Sequence, residues 1–327
     1  MFRRLKVGAG HAQRLLSLMT LFCGFFMMWG SSRGTQETGS SNQAVRSQAV
    51  EIDPLTPDGR HNGSVVVAAG KFHSAELQED DFLKPGPYLI LRRHVEMYQW
   101  QERTWGSDKR VRYEMGWIEG QVDFFKFKET EGHENPLMRY ENFTRYVSES
   151  SFGAFNGAQV LKAVTRLIPV RITAENLKDP GLKIEENRII IPRAAGGSLS
   201  KTPELGDTRI WYEALPQGDY TILTRQVDER NLVGASSGYS IVIRVGRLTV
   251  DDLFKAETRE SERISDGLLY VGGFLFFIGL YSVLAPIAPR INLRPKINLD
   301  GAPALALLCA ALSAVAVIIF FVVGRVG

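Results

Sequence analysis

Three apolar stretches, residues 15–30, 267–288 and 302–324, constrain this chain more than any motif, because none contains Asp, Glu, Lys, Arg or His. About 20 apolar residues in a helix cross the hydrocarbon core of a bilayer. The chain therefore reads as a multi-pass α-helical membrane protein that holds one large polar segment, 31–266, between its first two spans.

Charge gives the sidedness. The flanks 1–14, 289–301 and 325–327 carry Arg3, Arg4, Lys6, Arg14, Arg290, Arg294, Lys296 and Arg325 against the single acid Asp300, whereas 31–266 is slightly acidic. Short loops rich in Lys and Arg stay cytoplasmic. The N-terminus and the 289–301 loop are thus expected in the cytoplasm and the middle domain on the exported, lumenal or periplasmic side. The basic excess sits at membrane flanks, which attract anionic lipid, and it does not point to nucleic acid.

The stretch 15–30 has two readings. It is a first span or signal anchor, or, at about 24 Å of helix with small residues at Gly30, Ser31 and Ser32, a cleavable signal peptide. Both export the middle domain. The two cysteines, Cys23 and Cys309, lie inside apolar stretches. The exported domain has no disulfide and rests on its own core, which a segment of this size can build.

Residues 31–47 are rich in Ser, Gly, Thr and Gln and read as a flexible linker. Beyond them the patterning predicts an α+β domain, mostly antiparallel sheet. Residues 65–69 form a strand ended by Gly70. In 88–102, Leu91, Arg93, Val95, Met97 and Gln99 fall on one strand face, and Arg92, His94, Glu96, Tyr98 and Trp100 on the other. Residues 111–118 alternate similarly, suggesting an antiparallel partner with a turn near Gly106. The segment 157–167 spaces Val160, Leu161, Val164 and Leu167 as a helix face. Strands are expected at 188–192, 208–212, 220–227 and 239–245, and 248–262 reads as a helix leading into the second span.

Catalytic signals are weak. Gly234-Ala235-Ser236-Ser237-Gly238 matches G-x-S-x-G, but a β-branched run follows where the nucleophile elbow needs a helix. A turn explains it better than a hydrolase nucleophile at Ser236. The five histidines lack metal-ligand spacing, so no cofactor or metal is expected; His94 suits cross-strand pairing and His133 a turn. Gly272, Gly273 and Gly279 give the second span small positions for close helix packing. Asn62 and Asn142 head N-glycosylation triplets, relevant in a eukaryotic host.

The string Leu91-Arg92-Arg93-His94-Val95-Glu96-Met97-Tyr98-Gln99-Trp100 closely resembles the signature of the transmembrane protein 43 family, also called LUMA. Further agreement lies, in order, at Tyr113 and Trp117, Gly132-His133-Glu134-Asn135-Pro136, Pro203-Glu204-Leu205-Gly206-Asp207-Thr208-Arg209, and Phe254 with Glu257. The resemblance covers residues 61–285. It implies a non-enzymatic membrane organiser of the endoplasmic reticulum and inner nuclear membrane, with relatives in bacterial inner membranes. Such proteins self-associate into homo-oligomers and bind other envelope proteins, emerin and lamins in animals. It also implies that 15–30 is retained as an anchor. The family usually carries four spans where three are legible here, so the C-terminus is expected on the exported side, or the third stretch is a partial hairpin.

The function expected is a membrane scaffold, with an interaction surface on Arg92, His94, Glu96, Tyr98 and Trp100, where Arg and aromatic side chains would dominate binding. The same residues suit plain pairing between strands. The alternative is a sensor or lipid-binding module with an apolar pocket flanked by His94 and Trp100.

Overall fold

The computed structural model describes residues 9–106, 109–193, 202–233, 241–285 and 302–326. These form two units, one helical (up to Gln48 and from Thr249) and one built of sheet (Ala49–Leu248).

The helical unit holds α1 (Ala9–Gln48), α3 (Val250–Leu284) and α4 (Ala302–Val326). All three are long and apolar enough to cross a membrane. At ~1.5 Å per residue α1 and α3 exceed the ~30 Å hydrocarbon core, so each carries a polar extension. The two run antiparallel in one continuous register. Within the apolar halves, Gly24 lies against Gly272 and Phe276, and Gly279 against Leu21. Within the polar halves, the Ser31 hydroxyl donates to the Ser265 carbonyl at 2.6 Å, the Asn42 amide to Thr258 at 3.4 Å, and Arg46 pairs with Asp251 at 2.5 Å.

That register explains why residues 31–47 are helix and not the flexible linker their composition suggests. Ser and Gly are poor helix formers alone, but here α3 supplies partners along the whole length. Local bonds such as Thr35 Oγ1 to the Ser31 carbonyl also satisfy the hydroxyls. The start of α3 is set by Thr249, whose hydroxyl accepts from the Asp252 N–H, with Asp251 and Asp252 in the first turn where the helix dipole favours anions. Helix α4 packs its Gly324 on Ser32, its Val317 on Gly273 and its Phe320 on Phe25. Arg325, counted above among the basic flanks, pairs with Glu262 and Asp266 of α3.

The sheet unit contains β1 (Val50–Ile52), β2 (Val65–His73), β3 (Tyr88–Trp105), β4 (Arg110–Glu119), β5 (Phe143–Tyr146), β6 (Ser151–Phe152) and β7 (Phe155–Asn156). After the short α2 (Ala158–Lys162) come β8 (Ile168–Pro169), β9 (Lys183–Glu185), β10 (Arg188–Ile191), β11 (Thr208–Pro216), β12 (Gly218–Gln226), β13 (Leu232–Val233) and β14 (Val242–Val245). Among the described residues these make two seven-stranded sheets. One runs β13-β12-β2-β6-β7, with β1 and β14 attached. The other runs β4-β3-β11-β10-β9, with β5 and β8 attached. All pairings are antiparallel except β1 with β2.

Each sheet has its own core. Phe72, Phe152, Phe155, Tyr220 and Ile222 pack with Val160 and Leu161 of α2 on the first. Leu91, Val95, Ile210, Tyr212 and Leu177 pack on the second. The ends of β3 and β11, at Leu89, Ile90 and Leu215, enter the first core and tie the sheets together.

Four expected elements differ. Helix α2 stops at Lys162 instead of reaching Leu167; Val164 and Leu167 are still buried, as coil, so the apolar spacing reflects burial and not helix length. Gly70 does not end β2, which continues to His73. A Cβ there would lie 2.7 Å from Pro54 Cγ, so the glycine admits a close approach of chain. Strand β11 runs on to Pro216 beside β3. The strand expected at 239–245 is described from Val242. Gly234–Gly238 with Ser236 lies outside the described residues, as does the 289–301 loop.

Candidate interaction face

Strand β3 alternates as its sequence predicts. Leu91, Arg93, Val95, Met97 and Gln99 are buried, while Arg92, His94, Glu96, Tyr98 and Trp100 are half-buried. Because directly opposed residues of an antiparallel pair share a face, the register builds the second set into a broad surface. Arg92 faces Glu213, His94 faces Trp211, and Glu96 faces both Arg209 and Glu119. Tyr98 faces Trp117, and Trp100 faces Met115.

The charges on this face are paired. Arg209 pairs with Glu96, and Arg92 lies 3.7 Å from Glu213. The His94 ring bridges Glu119 at 3.0 Å and Glu213 at 3.1 Å, and stacks on Trp211 with centroids 5.0 Å apart. On the far side of Trp211 sits the Arg188 guanidinium, 5.1 Å from the ring centre; Arg209 lies 4.6 Å over Trp117. Such contacts hold the guanidinium flat on the indole. Arg188 Nε has no hydrogen-bond partner among the described residues.

The opposite side of β3 carries an arrangement only half visible in the sequence. Arg93, 7% exposed, donates to Asp80, 3% exposed, at 2.8 Å, and to the Glu141 carbonyl at 2.9 Å. Its guanidinium also lies over Phe143. The Tyr212 hydroxyl donates to the other Asp80 oxygen. Burial and this bond hold the Tyr212 phenol far above its ordinary pKa, so it remains a donor. An Arg among Leu91, Val95 and Met97 signals a buried counter-ion; that Asp80 supplies it is set by tertiary packing.

The strings Gly132–Pro136 and Pro203–Arg209 both act on β3. Asn135, buried, accepts from the Trp100 N–H at 2.7 Å and donates to the Trp100 carbonyl at 3.0 Å, extending the ladder where β11 has ended. The His133 ring stacks on Tyr113 and meets Trp100 edge-on. Asp207 accepts from the Arg193 and Glu204 N–H groups, and Gly206, at φ +95°, donates to the Tyr98 carbonyl. Replacing Asn135 by Ala should leave both Trp100 groups without these bonds and cost about 1–3 kcal/mol, read as a lower thermal midpoint of the purified protein. An unchanged midpoint would remove Asn135 from this account.

The cleft beside His94 is lined by Arg92, Arg93, Glu119, Asn142, Phe143 and Thr144. That lining mixes charged and polar side chains with the Phe143 ring, and Trp100 does not contribute to it. Asn142 is exposed, yet its oxygen accepts from the Val95 N–H at 2.7 Å and its amide donates to Glu119 at 2.9 Å. The Asn62 oxygen, also exposed, accepts from Gln226. Gly272 and Gly279 face α1, and Gly273 faces α4, within the same chain. Among the described residues, no group of three or more acidic, His or Cys side chains is placed to hold a metal ion.

Several carboxylates titrate below their ordinary range. Hydrogen bonds from the Ser148 N–H and hydroxyl depress Glu76, and the Lys128 N–H depresses Glu102. The Asn231 amide depresses Asp228, and Arg60 holds Asp58 down to about 2. A carboxylate depressed on folding stabilises fully above its unfolded pKa and loses that contribution as the pH falls through its folded value. The thermal midpoint should therefore be flat above the ordinary values of 4.5 and 3.8 and fall as the pH is lowered towards about 2. A midpoint independent of pH over that window would contradict these bonds.

The family model described as Transmembrane protein 43 matches residues 97–325. The chain is 24% identical over 291 residues to Transmembrane protein 43 of Mus musculus, covering 81% of this chain and 72% of the relative. It is 25% identical over 295 residues to the same-named protein of Homo sapiens, with the same coverage. No solved structure matches the chain. The matched region runs from the middle of β3 through β4 and β11 into the last apolar helix, and the chain belongs to the transmembrane protein 43 family.

Proposed function

We propose that this protein is a non-enzymatic membrane scaffold, which self-associates and binds other membrane proteins through its sheet domain. The observation that carries the reading is the face built on β3: two tryptophans covered by guanidiniums, half-exposed, on a rigid antiparallel scaffold. Arg and Trp in such surroundings are the side chains that dominate interface energetics. The charges there are spent on neighbouring strands, as a recognition surface requires and as a proton-transfer site does not.

The distribution of Lys and Arg supports an exported sheet domain and a cytoplasmic 289–301 loop. The compartment is the endoplasmic reticulum and inner nuclear membrane in a eukaryote, with emerin- and lamin-like partners in an animal, or the inner membrane in a bacterium. Lipids contact the outward faces of the three apolar helices.

Arg188 and Trp211 test the reading. Arg188→Glu combined with Trp211→Ala should reduce the membrane proteins recovered with the full chain, while the antiparallel sheet signal in circular dichroism persists. Undiminished recovery from a folded double variant would rule this face out as the binding surface.

A further inference from the structure

Strand β4 is an edge. Among the described residues it pairs with β3 alone, and its other side meets no strand. In the β3–β4 ladder Gln99 opposes Gly116 and Gln101 opposes Glu114. The Trp100 backbone points away from β4, to Asn135. In an antiparallel pair the residues alternate between facing the partner and facing away. The even-numbered residues of β4 therefore bond β3, and the N–H and carbonyl groups of Val111, Tyr113, Met115 and Trp117 point outward. No hydrogen bond reaches those backbone groups among the described residues.

An open strand edge of ten residues is a template for another chain unless it is blunted by Pro, a bulge or a covering segment. β4 has no Pro, and its pairing with β3 is unbroken from Arg110 to Glu119.

We infer that β4 pairs with β4 of a second copy, antiparallel about a two-fold axis through Tyr113. The strand's own charges select this occupant and register. A two-fold perpendicular to the sheet keeps each face on its own side, so residues of equal parity must oppose one another. Centring on Arg112 would oppose two arginines, and centring on Glu114 two glutamates. Centring on Tyr113 sets Arg112 of each copy against Glu114 of the other, and Val111 against Met115. The outward residues 111, 113 and 115 then form the bonded pairs, giving about six interchain hydrogen bonds. Centring on Met115 escapes repulsion but opposes Arg112 to Ile118 and gains no ion pair. Anchoring of both copies in one membrane raises their effective concentration, so a modest edge contact suffices.

The inference rests on self-association as part of the proposed function and names its surface. Proline gives a clean test. At Met115, 42% exposed, it removes an outward N–H that β3 does not use, the position at which edge strands accept it. At Glu114 it would remove a bond to β3. Full-length wild type and Met115→Pro should be crosslinked in native membranes with an amine-reactive reagent, with circular dichroism of each purified protein. Expected is a dimer in wild type, reduced about tenfold in Met115→Pro with the sheet signal retained. Arg112→Glu should also lose dimer, and Arg112→Glu with Glu114→Arg should regain it. A wild-type dimer that persists in folded Met115→Pro overturns the edge and leaves self-association standing. A monomeric wild type overturns both. If Met115→Pro unfolds, the charge-swap pair decides alone, and a dimer indifferent to it overturns the register.

Discussion

Replacing Arg93 by Met should destabilise the sheet domain by about 3–5 kcal/mol, because it strands Asp80 in the core with Tyr212 as its remaining side-chain partner. Domains are stable by roughly 5–15 kcal/mol in total, so the loss is a large fraction of what holds this one together. Asp80→Ala should cost less, because Arg93 keeps Asp81 at 3.3 Å and the Glu141 carbonyl at 2.9 Å as partners. Removing both charges, as Asp80→Leu with Arg93→Met, should recover part of the loss, since an apolar pair of similar volume needs no desolvation, the remainder being the buried Tyr212 hydroxyl left without its acceptor. Thermal unfolding of the full chain in mild detergent distinguishes these cases. A double variant as unstable as the singles would mean that the Arg93 guanidinium on Phe143 and the Tyr212 hydroxyl bond, rather than the ion pair, carry the effect.

Gly24→Leu should break the pairing of α1 with α3. A Cβ at Gly24 would lie 2.4 Å from the Phe276 nitrogen and 2.6 Å from the Gly272 carbonyl oxygen. These are backbone atoms, which cannot rotate aside, so the helices must separate. Overpacking of a core typically costs about 1–3 kcal/mol, and the absence of yielding side chains places this site at or above the upper end. Within the apolar halves little opposes separation, since lipid is as apolar as the partner helix. Gly279→Leu should act alike, its Cβ falling 2.4 Å from the Leu21 nitrogen. The readout is a disulfide between Asn42→Cys and Thr258→Cys, at a contact of 3.4 Å in the polar extension. It should form readily in the parent and poorly in either glycine variant. Equal yields in all three would show that the two helices are not in the contact described.

These two sites also show what the sequence discloses and where it stops. The alternation of 88–100 is legible because one face of β3 meets a core and the other does not, and a period of two survives in any such strand. The antiparallel partnership of β3 with β4 and the turn at Gly106 followed from two adjacent strands. The stretches 15–30, 267–288 and 302–324 lie within helices of the length a span requires. The partners across β11 did not follow. Trp211 and Glu213 reach His94 and Arg92 by a pairing more than a hundred residues apart in sequence, and no local pattern encodes it. The strands β1, β6, β7, β8, β9 and β13 are only two or three residues long, too short to show a period. The extension of α1 through 31–47 was hidden for the opposite reason. Its composition is that of a linker, and its helix exists because α3 lies beside it.

The face on β3 and the edge on β4 belong to one sheet, so one domain presents two surfaces of different chemistry. The edge offers backbone groups and a self-complementary charge pattern, suited to a like strand. The face offers indoles under guanidiniums, suited to an unlike partner.

The most direct measurement is chemical crosslinking of the unmodified full-length protein in native membranes, followed by mild-detergent recovery and mass identification of everything joined to it. The account predicts homo-oligomers together with a reproducible set of other membrane proteins, crosslinked through lysines of the sheet domain. A lone monomer, or a monomer carrying only a copurified lipid or metabolite, would contradict the scaffold and favour a ligand-sensing module in its place.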